Sequence, residues 1–113
     1  MKVEAMLITA MSRRLDDDVD YATFRKAWLP DEVFPDDPRT QVISAFNIED
    51  PRELMTIAII RDAAPADIPV WLEKLAPVEA RRFDRIKDMV GAPTLNTVYQ
   101  VVAEDDLSKP LSA

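Results

Sequence analysis

Leu54-Met55-Thr56-Ile57-Ala58-Ile59-Ile60 is apolar at positions of both parities, so a strand over residues 54–60 would bury side chains on both of its faces. Residues 2–12 read the same way: Val3, Ala5, Leu7, Thr9 and Met11 fall on one side, Met6, Ile8 and Ala10 on the other, and Arg13 and Arg14 end the run. Residues 40–49 and 94–103 also alternate, but they carry Ser44, Asn47, Asn96 and Gln100. Two strands that are apolar on both faces and two that are more polar suit the centre and the edges of one four-stranded sheet.

Between the first two strands, Asp16, Asp17 and Asp18 offer a cap and first-turn carboxylates for a helix reaching about Leu29. Tyr21, Phe24 and Trp28 form a stripe on it that can lie on the sheet. Pro30, Pro35 and Pro38 then break regular structure. Asp50-Pro51-Arg52 is so short a link that strands two and three must form an antiparallel hairpin.

A long helical region follows over residues 67–90, with Pro69 in its first turn and Gly91, the only glycine, as a left-handed closing residue. If the helix runs unbroken through Pro77, then Ile68, Leu72, Leu75, Phe83, Ile86 and Val90 share one face; the competing reading starts a new helix at Pro77. Residues 104–113 read as a polar tail on a single domain spanning 1–103.

The element order is βαββαβ. Right-handed crossovers make this an α+β fold of the ferredoxin-like kind, with an antiparallel sheet of spatial order 4-1-3-2 and both helices on one face. That order puts the two strands apolar on both faces at the centre. The other sheet face is then uncovered, and a second copy packed sheet to sheet is the expected cover.

Composition narrows the chemistry. The 113 residues are 48% hydrophobic and 31% charged, the balance of a globular chain, with a formal net charge of −7 that disfavours nucleic acid and anionic membranes. No apolar run reaches the roughly eighteen residues of a membrane span, and the start lacks the apolar core of a signal peptide, so a cytoplasmic location is expected. There is no Cys and no His. That removes thiolate nucleophiles, the usual general base, the usual zinc and haem ligands and any Ser-His-Asp triad. No cofactor and no metal site are expected.

Among the remaining residues, Tyr21, Trp28 and Trp71 are candidates to line a pocket for an aromatic ligand, against a plain role in the core. Glu79 is the candidate catalytic acid or base: on a continuous helix it falls within the apolar stripe, where burial favours proton transfer, whereas in a helix starting at Pro77 it is a first-turn carboxylate. Asn47 and Asn96, with Thr9 and Thr56, are polar strand positions able to hold an oxyanion, or simply marks of edge strands. The acids Asp16, Asp17, Asp18 and Asp20 read as a solvated helix cap rather than a cation site. Arg13 with Arg14, and Arg81 with Arg82 and Arg85, read as solvated faces balancing nearby acids, with anion recognition as the rival reading.

In element order, length, the aromatic helix from Tyr21 to Trp28 and the doubly apolar central strands, residues 2–103 resemble the dimeric α/β-barrel superfamily, which includes cofactor-free monooxygenases of the antibiotic-biosynthesis type. The resemblance includes no catalytic signature. It implies a homodimer formed through the sheet face, and a small-molecule-binding protein acting as a cofactor-independent monooxygenase or isomerase on an aromatic or enolisable substrate. The alternative is a non-catalytic ligand sensor or assembly protein of the same fold. Haem-using branches of the superfamily usually employ a His, and this chain has none.

Overall fold

Met6–Arg14 form β1, the strand on which the rest of the molecule is registered. This computed structural model describes residues 5–31 and 37–109; positions 2–4 of the expected first strand, the stretch around Pro35 and the last part of the tail lie outside the described residues. β1 pairs antiparallel with β3 (Glu53–Arg61) on one side and with β4 (Leu95–Gln100) on the other, and β2 (Gln41–Phe46) pairs with the far edge of β3. The resulting order, β2-β3-β1-β4, is the one expected from two doubly apolar strands flanked by two polar ones.

Register assigns each side chain to a face. Leu7, Thr9, Met11 and Arg13 stand opposite Ile60, Ala58, Thr56 and Leu54, and these positions face the helices. The opposite face carries Ile8, Ala10, Met55, Ile57 and Ile59 from the centre and Ile43 and Tyr99 from the edges. Helices α1 (Tyr21–Trp28) and α2 (Ile68–Ile86) both pack on the first face.

The core divides into two clusters. At one end Leu15, Phe24, Leu54 and Ile86 are almost fully buried, with Tyr21 and Trp28 packed beside them. At the other end Leu7, Ile60 and Ala63 meet Ile68 and Trp71. The sheet between these clusters carries the smaller side chains Thr9, Thr56 and Ala58, which leave room beneath α2.

Several local expectations are corrected. The cap of α1 is Asp20, whose Oδ1 accepts the Thr23 N–H at 2.8 Å, and not Asp16, Asp17 or Asp18. Those three form the preceding turn, pinned where the Asp16 N–H donates to the Met89 carbonyl at 2.8 Å. α2 runs straight through Pro77, so no second helix begins there. It ends at Ile86, and Gly91 does not take a left-handed conformation; its N–H instead donates to the Arg14 carbonyl at 2.9 Å.

The buried stripe of α2 is also rotated. Leu75, Val78, Arg82 and Ile86 are buried, while Leu72 is 66% exposed and Phe83 40% exposed. No helix among the described residues is long and apolar enough to cross a membrane.

Candidate functional site

The space under α2 is a cleft with two lobes that share Thr9, Met11, Arg39, Glu79 and Phe83. The larger lobe, about 500 Å³, is bounded by Leu7 and Ile60 on the sheet, Trp71, Leu75 and Ala76 on α2, and Asn96 and Val98 on β4. The smaller, about 210 Å³, lies towards Trp28 and Pro30 and holds most of the charge. Thr9, Thr56 and Ala58, the small-residue patch between the two core clusters, form the floor of the smaller lobe, and Thr9 and Met11 carry it into the larger. The smaller lobe therefore follows from having Thr and Ala where neighbouring rows carry Leu and Ile.

Glu79 stands at the junction of the lobes. Its Oε1 accepts from Arg39 Nη2 at 2.7 Å and from Arg82 Nη1 at 2.6 Å. Arg39, in the chain leading into β2, also grips Asp37 through Nε (3.0 Å) and Nη2 (2.9 Å), a two-point bond that fixes the guanidinium plane. Burial alone pushes the Asp37 carboxyl up, but the Arg39 bonds outweigh it and hold the group below the ordinary range. Burial likewise pulls on Arg39, and the paired acids Asp37 and Glu79 more than reverse that effect.

Arg82 is buried, donates Nε to the Trp28 carbonyl at 2.7 Å, and lies over the Trp28 ring with its guanidinium carbon 4.8 Å from the centroid. Arg13 lies over Phe24 at 5.3 Å. Neither is part of a solvated face, and this corrects the sequence expectation for both. Arg14 does lie in solvent, paired with Asp50 at 2.8 Å. Arg85 spans α1 and α2 through the Ala27 and Leu29 carbonyls, both at 2.9 Å.

Of the candidate residues, Trp28 lines the smaller lobe, Trp71 and Asn96 the larger, and Glu79 both. Thr9 belongs to both and Thr56 to the smaller. Tyr21 is not brought to the cleft: it packs edge-on against Phe46, 5.6 Å between centroids, and tilted against Phe24 at 6.1 Å. Asn47 is not there either. It closes the β2–β3 turn, donating to Glu53 Oε2 at 2.6 Å and accepting the Glu49 N–H at 2.8 Å. Glu79 sits between two cations rather than in an apolar stripe.

Sequence reading missed Asp37, Arg39 and Arg82 as a linked network. A usable signal was present for Arg13, which continues the parity of Leu7, Thr9 and Met11, and for Arg82, one helical turn beyond Glu79 and one before Ile86. Among the described residues no group of three or more Asp or Glu side chains is placed to hold a metal ion.

No family model matches the chain, and no curated protein matches it in sequence. In structure it is similar to a proposed antibiotic biosynthesis monooxygenase from Chloroflexus aurantiacus J-10-fl, solved by crystallography. The TM-score is 0.60 at 12% identity, over 90% of this chain and 98% of the other. That likeness supports the fold.

Proposed function

We propose that this chain binds a small aromatic or enolisable organic molecule in the cleft beneath α2 and acts on it as a cofactor-independent monooxygenase or isomerase. The observation that carries the reading is the larger lobe, about 500 Å³ and walled mainly by apolar side chains including Trp71, which opens onto a charged junction at Glu79 and Arg39. A protein that only assembles has no need of such a void, and ligand pockets typically begin near about 300 Å³.

The chemistry starts with removal of a proton beside a carbonyl or from a phenol. Guanidiniums already oriented by their bonds to Asp37 and Glu79 stabilise the enolate or phenolate oxygen without having to reorganise. Glu79 is the candidate proton acceptor, since Oε2 has no hydrogen-bond partner among the described residues. With dioxygen as oxidant, an activated methylene becomes a carbonyl: one oxygen atom enters the product and the other leaves as water with the two methylene hydrogens. Without dioxygen, return of the proton at another carbon is an isomerisation.

Homodimerisation belongs to the same reading. The face bearing Ile8, Ile57 and Ile59 is opposite both helices, and Ile43 and Tyr99 on it are about half exposed, 48% and 49%. At about 25 cal/mol per Å² of apolar surface, a second copy packed there is strongly favoured.

A ligand-sensing role is the second reading, favoured by the fact that Asp37 and Glu79, the carboxylates of the cleft among the described residues, are both held by guanidiniums. The chain has only two tryptophans, Trp28 and Trp71, and each lines one lobe, so tryptophan emission, excited selectively over the two tyrosines, reports the cleft. Titration with polycyclic phenols and 1,3-diketones should change the emission, and an oxygen electrode should record uptake with at least one of them. Emission changes without turnover favour the sensor; no change with any compound removes the ligand reading.

A further inference from the structure

Among the described residues, the smaller lobe contains three guanidiniums, Arg13, Arg39 and Arg82, and two carboxylates, Asp37 and Glu79, so one positive charge is left over within that set. Hydrogen bonds locate the surplus. Arg39 bonds both acids, and Arg82 bonds Glu79 and the Trp28 carbonyl. Arg13 bonds no acceptor among the described residues: it is 4% exposed, and its Nε is enclosed without a partner. The Phe24 ring beside it supplies attraction but accepts no conventional hydrogen bond.

A buried guanidinium in this position is costly. Burial and then the neighbouring charge of Arg82 both work against its protonated form, with Glu79 a partial offset. Arginine does not relieve such a cost by giving up its proton. Arginines that serve packing in this protein look different: Arg82 and Arg85 both cap carbonyls of α1 and its end. Arg13 has its hydrogen-bonding capacity left open at the wall of a cavity.

We infer that the ligand of the cleft is an organic acid, whose anionic oxygen, of the carboxylate class, is taken by Arg13 in the smaller lobe while its apolar body lies against Trp71 in the larger one. The inference rests on the cleft being a ligand site and narrows what it accepts. A single surplus charge suits a monoanion. A dianion such as phosphate would meet Asp37 and Glu79 with no second free cation among the described residues of the lobe to offset them.

Isothermal titration calorimetry with 2-naphthoic acid and its neutral isostere 2-naphthamide at neutral pH tests this. The wild-type chain should bind the acid about ten-fold or more tightly than the amide. Arg13→Met, which keeps most of the apolar stem, should abolish that preference by weakening the acid far more than the amide, whose carbonyl loses only an uncharged acceptor's bond, and Arg13→Lys should restore part of it. Equal affinity for acid and amide in the wild-type chain overturns the inference but leaves the cleft as a ligand site, and this arm decides the matter even if the variants do not fold. Preference surviving in folded Arg13→Met overturns the assignment to Arg13. Binding of neither compound overturns the inference along with the ligand reading beneath it.

Discussion

Arg82 Nη1 stands 2.6 Å from Glu79 Oε1, one helical turn away on α2, and the same guanidinium covers the Trp28 ring of α1. One side chain therefore joins the two helices and fixes a group of the cleft. Arg82→Met should cost about 2–3 kcal/mol, below the full value for breaking a buried pair because Glu79 retains Arg39 and some solvent. Urea denaturation checks it: a loss within a few tenths of a kcal/mol would mean that the pair contributes little to the fold.

Acid should weaken the junction through Asp37. Its folded pKa lies below the ordinary 3.8, the Arg39 bonds overcoming the opposing effect of burial, so its contribution is complete above about that pH and is lost as pH falls through the lower folded value. Other carboxylates titrate in the same range, so the comparison is with Asp37→Asn. Between about pH 5 and pH 2.5 the wild-type chain should lose more stability than the variant. Parallel curves would show that the Asp37–Arg39 bond is not formed in solution.

Pro77 lies inside α2 and has no N–H to give the Glu73 carbonyl four residues back. The site is exposed, so Pro77→Ala should raise stability by about 1–2 kcal/mol, the helical gain being reduced by the extra freedom returned to the unfolded chain. A higher melting temperature is the expected outcome. A lower one would indicate that Pro77 helps to seat the following half of α2 on the sheet.

The sheet was legible because burial on two faces leaves a direct mark: Leu54 to Ile60 and Leu7 to Met11 have no polar side, and only the central positions of a four-stranded sheet tolerate that. Helix ends were less legible, since Asp16, Asp17, Asp18 and Asp20 are equivalent as caps until Asp16 is bound to the chain near Met89. The α2 stripe was misread by one row, because this helix has an apolar row against the core and a second row, Leu72 to Phe83, along a cavity. Trp28, Trp71, Asn96 and Glu79, which line the cleft, stood out in the sequence because aromatic, amide and misplaced acidic side chains are conspicuous in apolar patterns. The arginines were missed because charge runs are ordinarily solvated; what buries Arg13 and Arg82 is stacking on Phe24 and Trp28, rings contributed by another element.

The row assignment on α2 separates stability from binding. Leu75→Ala, at a side chain 6% exposed, should cost about 2–4 kcal/mol. Leu72→Ala should cost under about 1 kcal/mol, yet weaken binding of apolar ligands, since Leu72 lines the larger lobe. Chemical denaturation and fluorescence titration of the pair provide the check, and equal destabilisation would place both residues in one core.

Pairing of two chains through the uncovered sheet should depend on its central row. Ile57 stands opposite Ala10 on β1 and Ile43 on β2, in the middle of the apolar face and away from the cleft. Ile57→Glu places a charge where a symmetric partner would bring a second one against it, with the desolvation cost of both. Sedimentation equilibrium should find the wild-type chain at twice its own mass and the variant as single chains. The fold of the variant should survive, since the introduced carboxylate faces solvent in the single chain and the core lies on the other side of the sheet. A wild-type chain that stays single at tens of micromolar would leave the apolar face without this partner.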